Sequence, residues 1–160
     1  MINYFELFDI PVSFNVDTLM VAKKYIQLQK QFHPDFFTQQ DDADKQMAEE
    51  KSAQLNAGYK IFQHKDATIK YVLQLKGLLT DDEKYQLPNE FLMEMMELNE
   101  DFNGQSIENI NKLQADMYVQ IQSIVEDTPF TNLTNQQLLL VKEHYFKKKY
   151  LQRILDRLEG

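Results

Sequence analysis

The chain of 160 residues has no cysteine and no tryptophan, and only four glycines, four prolines and three histidines. Without cysteine, disulfides, Cys-ligated zinc sites and thiol nucleophiles are all excluded. The glycines are too few and too scattered for a phosphate-cradling loop, and there is no G-x-S-x-G elbow. The histidines, His33, His64 and His144, are also scattered, and none pairs at i,i+4 with another histidine as helical metal sites require. The densest apolar run, Leu138 to Val141, falls far short of the roughly 20 residues that span a bilayer. Residues 1–6 offer neither a basic nor an apolar leader region, so no secretory signal is expected. With zero cysteine this fits a reducing, cytoplasmic setting.

Positive charge is scarce as well. The net charge of −8 argues against nonspecific binding to nucleic acid or to anionic membranes. The deficit is uneven: residues 1–78 carry 9 Lys against 10 acids, and residues 79–160 carry 8 Lys plus Arg against 15 acids. Such asymmetry suggests two regions with different partners.

Leu, Gln, Lys and Glu dominate instead, and every strongly periodic segment reads as helix. A short helix is expected over 3–8 and a second after an Asp17 N-cap, its apolar side formed by Leu19, Ala22, Tyr25 or Ile26, and Phe32, with Gln29 as the exception. A third, 43–62, presents Ala48, Ser52, Leu55, Tyr59 and Phe62 on one face. A fourth, 66–76, ends at Gly77 in the left-handed conformation. The acidic, proline-containing stretch 78–88 reads as a junction. Beyond it, three long helices are expected over 89–103, 106–126 and from Thr134 to the end, where Thr134 and Gln137 match a capping box. Short connections between them imply an antiparallel three-helix bundle. The sixth helix carries an apolar stripe of Ile107, Ile110, Leu113, Met117, Ile121 and Ile124. His64 and His144 read as exposed or half-buried helix residues. Lys147, Lys148 and Lys149 read as a solvated face that could also lie near the acidic helix 89–103.

Two segments stand out. His33-Pro34-Asp35 follows the second helix, and the proline forces that helix to stop at about Phe32. An imidazole and a carboxylate are thereby left on a tight loop, where exposed polar groups commonly serve binding. As an acid–base or metal pair they lack an indicated third group. In 91–102, Phe91, Met95, Leu98 and Phe102 supply a core face, leaving Leu92, Met93 and Met96 as surplus apolar groups beside Glu97 and Glu100. Either this helix buries both stripes between two others, or the methionines form an adaptable surface for a basic partner.

The opening Tyr4-Phe5-x-Leu7-Phe8, the loop Gln31-Phe32-His33-Pro34-Asp35-Phe36-Phe37 and the stretch Tyr71-Val72-Leu73-x-Leu75-x-Gly77 resemble a J-domain. With Phe91-Leu92-Met93-Glu94 added, nearly the whole chain resembles the HscB family, J-domain co-chaperones of iron–sulfur cluster assembly. The resemblance implies an all-α protein. Its J-domain, a helical hairpin plus short helices, would occupy 1–77, with a junction at 78–88 and an antiparallel three-helix bundle over 89–160. It implies no enzyme activity and no cofactor or metal of the chain's own. His33, Pro34 and Asp35, with Lys23, Lys24 and Lys30, would engage a DnaK-type chaperone ATPase of the heat shock protein 70 family, HscA-like or DnaK itself. Asp35 would meet a chaperone arginine. Leu92, Met93, Met96, Glu97, Glu100 and Phe146 would bind an IscU-like cluster scaffold. The rival readings are a J-domain adaptor for another client and a His/Asp metal-dependent hydrolase.

The chain departs from the family pattern at several positions. Ala22, Ile26 and Gln27 stand where J-domains are often basic, Phe36 where many have lysine, and Thr68-Ile69 where Arg-Ala is usual. Gly104 stands where the family often places another acid.

Overall fold

Four helices begin where a short polar side chain can accept from the first free backbone N–H groups. Asn3 accepts from Phe5 and Glu6, Asp17 from Leu19 and Met20, and Asp41 from Asp44. Thr134 and Gln137 close the reciprocal capping box. The computed structural model describes residues 1–37, 41–100 and 106–160, with the side chains of Pro34, Asn99 and Glu100 outside the described set. Among the described residues every regular element is helical: α1 (Tyr4–Leu7), α2 (Thr18–Phe32), α3 (Asp42–Phe62), α4 (Lys65–Leu75), α5 (Asn89–Glu100), α6 (Ser106–Gln122) and α7 (Asn135–Glu159). They fall into two compact units, 1–75 and 76–160.

In the first unit α2 and α3 pack as a hairpin, with α1 and α4 against α3. The core is strongly aromatic. Phe5 lies 4.9 Å from Phe62, and Phe8 meets Phe62 edge-on at 5.5 Å. Val21, Ala48, Leu55, Ile69 and Val72 complete it. Gly58 is where α1 comes closest to α3: a Cβ there would stand 2.8 Å from a Tyr4 ring carbon and 2.9 Å from one of Phe8. Tyr71 ties the amino terminus down. Its hydroxyl accepts from the Tyr4 N–H at 2.8 Å and donates to the Ile2 carbonyl. Burial pushes the Tyr71 phenol above its ordinary pKa, against the opposing Tyr4 hydrogen bond. Thr68 is buried and donates to the carbonyls of Ile61 and His64. Gly77 follows α4 with φ of 72°, as expected of a left-handed terminator.

Most of the expected face of α2 turns inward: Ala22, Tyr25, Gln29 and Phe32 are half-buried, with Val21, the buried residue of the helix, and Leu28 beside them, while Leu19 and Ile26 point to solvent. Two equally hydrophobic stripes run along this helix, and α3 covers only one of them.

In the second unit Phe91 and Met95 of α5, Ile110 and Met117 of α6, and Leu151, Ile154 and Leu155 of α7 share one core. Ile110 and Met117 share this core with residues late in α7, Met117 and Ile121 line one cavity with Leu140 and His144, and Tyr118 meets His144, as in an antiparallel α6–α7 pair. The stripe of α6 continues through Ile124 and Val125 in a closing π-turn, Ser123–Asp127. The segment 78–88, expected as a junction, falls within the second compact unit. Leu79 is buried, Glu83 accepts from Lys142 at 2.7 Å, and Tyr85 stacks on Phe146 at 4.5 Å. The Lys142 contact holds the Glu83 carboxyl below the usual carboxylate range. His144 is buried, with its ring 6.0 Å from Tyr118, rather than exposed or half-buried. The expected core residue Phe102 and the family departure at Gly104 lie outside the described residues.

Candidate functional site

The sequence stops α2 where the argument from proline puts it. His33 caps the helix with extended backbone, ψ of 132°, because the following proline bars the helical region. The chain then turns through a single 3-10 stretch, Pro34–Phe37, closed by the Phe36 N–H donating to the His33 carbonyl at 3.0 Å. This turn leads towards α3 and so sits at the connecting end of the α2–α3 hairpin.

His33 and Asp35 are neighbours across the turn. Nδ1 of His33 accepts from the Asp35 backbone N–H at 3.2 Å and lies 3.6 Å from Asp35 Oδ2. This geometry holds the imidazole by one nitrogen and leaves the carboxylate 85% exposed. An exposed carboxylate of this kind suits an external cation better than it suits internal acid–base work. Among the described residues no three His, Asp or Glu side chains converge as a metal site would need.

The lysines divide. Lys23 and Lys30 are exposed and lie seven residues apart, on one face of α2. Lys24 is turned away from them, and its ammonium donates to the Asp9 carbonyl at 2.6 Å, a contact within the unit. Beneath the turn the hairpin is held by a polar network. The Gln29 amide donates to Asn56 Oδ1 at 2.9 Å and accepts from the Ser52 hydroxyl at 2.9 Å. The Tyr25 hydroxyl also donates to Asn56, and the Tyr25 ring stacks on Tyr59 at 4.2 Å. Sequence reasoning missed this network. Its signal was there, in a polar residue on the inner line of each helix, Gln29 and Ser52.

On α5 the two stripes separate. Phe91 and Met95 are buried and Leu98 is half-buried, whereas Met93 and Met96 are each 65% exposed. Glu94 and Glu97 are exposed beside them, and Leu92 is half-buried. Glu94 was not among the expected site residues, although its spacing from Glu97 marks it as a neighbour. The Glu100 side chain lies outside the described residues. Phe146 is not with this group: it is buried, with one face covered by Tyr85. Lys147 does lie near α5, as the sequence allowed. It pairs with Glu143 at 3.3 Å and lies over the Phe91 ring, 5.4 Å from its centroid. The described residues thus present two separate features, the turn with the Lys23–Lys30 face in one unit and the methionine-and-glutamate face of α5 in the other.

Residues 87–159 match the family described as the HSCB C-terminal oligomerisation domain. The co-chaperone protein HscB homolog of Vibrio parahaemolyticus is 37% identical over 100 residues, 62% of this chain and 58% of that protein. The one from Vibrio cholerae is 38% identical over 103 residues, 64% of this chain and 60% of the relative. The chain therefore matches about three fifths of the length of these relatives. Among solved structures, chaperone HscB from Vibrio cholerae superposes with a TM-score of 0.71 at 25% identity, covering 99% of this chain and 96% of that one. The crystal structure of human co-chaperone protein HscB gives a TM-score of 0.77 at 27% identity, covering 99% and 81%.

Proposed function

We propose that the chain belongs to the HscB family, on the match over residues 87–159 and the likeness to the HscB homologues and structures, and that it is a cytoplasmic co-chaperone, not an enzyme, with two separate docking surfaces. The His33–Asp35 turn, with Lys23 and Lys30, engages a DnaK-type chaperone ATPase and stimulates its hydrolysis of ATP. The α5 surface holds the iron–sulfur cluster scaffold protein and delivers it to that ATPase. One chain that binds both raises the effective concentration of scaffold at the chaperone, so two modest affinities suffice.

The observation that carries the first half is the Asp35 carboxylate, 85% exposed on a turn whose neighbouring imidazole is already engaged through Nδ1. It is positioned to accept a charge-assisted hydrogen bond from an arginine of the chaperone. Lys24, held by Asp9, drops out of the docking set. For the second half, the exposed pair Met93 and Met96 offers flexible thioether side chains beside Glu94 and Glu97, a combination suited to a partner with apolar and basic groups. Phe146, buried and stacked on Tyr85, drops out of the scaffold-binding set.

The test is a titration of the scaffold protein onto the full chain. Met93→Ser with Met96→Ser should weaken binding several-fold or more while leaving chaperone stimulation intact. Unchanged affinity rejects α5 as the scaffold surface. The word oligomerisation in the matched family description supplies the competing reading, that this face joins two copies of the chain. Sedimentation of the same variant separates the two, because only self-association would lose mass.

A further inference from the structure

A groove beside the His33–Asp35 turn runs between α2 and α3, and its rim is built from Ile26, Lys30, His33, Asp35 and Phe36. Its floor is the Gln29–Ser52–Asn56 network, whose polar atoms already bond across the hairpin. The Tyr25 ring there is pinned by stacking on Tyr59. What the groove still offers a partner therefore lies mostly on its rim. Two of the five rim residues are large, apolar and open to water: Ile26 is 55% exposed and Phe36 is 64% exposed. Phe36 stands edge-on to His33 at 6.1 Å, next to the Asp35 carboxylate. Ile26 falls between Lys23 and Lys30 on the outer face of α2, at steps of three and four. Exposed apolar side chains that cluster with charged ones mark an interaction surface, and an aromatic in such a cluster is a common anchor.

Resting on the reading of this turn given above, we propose that Ile26 and Phe36 are the apolar anchors by which the chain seats on the chaperone ATPase. The partner surface they fit is an apolar depression flanked by acidic side chains, the acids answering Lys23 and Lys30. The occupant is that ATPase because the anchors share one groove with the Asp35 carboxylate, so whatever meets the carboxylate also covers them. Contacts between exposed charges are screened by salt, whereas burial of Ile26 and Phe36 is not. Docking at this turn therefore keeps a large part of its affinity at high ionic strength.

The experiment uses the full chain and the DnaK-type ATPase, with hydrolysis followed against chain concentration at low and at high salt. Ile26→Ser and Phe36→Ser should each raise the half-maximal concentration about fivefold or more at both salts. The maximal rate should stay unchanged, and so should the thermal melt, because both side chains are exposed. Lys23→Gln with Lys30→Gln should show a defect at low salt that shrinks at high salt. Half-maximal concentrations equal to that of the unaltered chain, or an Ile26 and Phe36 defect that vanishes in salt, overturn the proposal. If the serine variants instead lose sedimenting mass while stimulation is untouched, the groove holds a second copy and the proposal also fails. An unaltered chain that stimulates no DnaK-type ATPase overturns the co-chaperone reading together with it.

Discussion

Gly58→Ala sets two effects of opposite sign against each other at the α1–α3 contact. Alanine in a helix interior is favoured over glycine by about 1 kcal/mol. Against this, the new Cβ would stand 2.8 Å from a Tyr4 ring carbon and 2.9 Å from one of Phe8. Neither ring yields cheaply. Phe8 is fully buried and set edge-on to Phe62, and Tyr4 is held through its backbone by the Tyr71 hydroxyl. Overpacking of this kind typically costs about 1–3 kcal/mol and sometimes more. The contact should win, for a net loss of up to about 2 kcal/mol in the first unit. At about 4–8 °C per kcal/mol for a unit of this size, the melting point should fall by up to roughly 16 °C. Because the chain has two compact units, a single melt need not report the first alone. Hydrogen exchange of α3 amides during the urea titration assigns the change to its unit. Faster exchange in α3 with α6 and α7 unaltered is expected. A variant more stable by about 1 kcal/mol, as helix propensity alone dictates, would refute the claim that α1 is seated on a glycine.

Two further perturbations follow from the same structure. Tyr71→Phe leaves the Tyr4 N–H without its acceptor and should destabilise the first unit by about 1–2 kcal/mol at neutral pH, measured by urea unfolding. The folded-state pKa of Tyr71 is raised, chiefly by burial, so its stabilising contribution is complete below the ordinary value of 10.0 and is lost as pH climbs through the folded-state value. The Phe variant should accordingly lose less stability than the unaltered chain above about pH 10; parallel curves through the alkaline range would contradict that assignment. On α5, the double serine replacement of Met93 and Met96 should leave the thermal melt within about 1 kcal/mol of the parent, since both side chains are largely exposed. A cooperative loss of structure would place them in the core after all.

Features fixed by local chemistry were legible in the sequence, and those fixed by neighbours in space were not. Pro34 dictated the end of α2, Asp17 and the Thr134–Gln137 box dictated helix starts, and Gly77 dictated the turn after α4. The face of α2 was legible at Ala22, Tyr25, Gln29 and Phe32 but not at its edges, because Leu19 and Ile26 are as hydrophobic as Val21 and Leu28 and only the position of α3 chooses between them. The segment 76–88 has no period of its own, so the burial of Leu79 and the stacking of Tyr85 on Phe146 had no pattern to reveal them. His144 was misplaced for a related reason, since nothing on α7 announces that α6 will cover it with Tyr118.

The candidate site divides in the same way. His33 and Asp35 could be placed on a turn from sequence, but the engagement of Nδ1 by a backbone N–H and the 85% exposure of the Asp35 carboxylate are matters of geometry. Lys24 is indistinguishable from Lys23 in sequence until the Asp9 carbonyl claims it. The exposure of Met93 and Met96 depended on how many helices surround α5, which periodicity alone leaves open.

The central claim is that one chain carries a chaperone-stimulating turn and a separate client-holding helix face. Single-turnover ATP hydrolysis by the DnaK-type chaperone, with the scaffold protein present, tests it most directly when three chains are compared: the unaltered one, Asp35→Asn, and Met93→Ser with Met96→Ser. Asp35→Asn should abolish stimulation while still binding the scaffold. The methionine variant should stimulate as well as the parent but fail to bring scaffold to the chaperone. If Asp35→Asn stimulates like the unaltered chain, or if either change removes both activities in a folded protein, the account of two separate surfaces is contradicted.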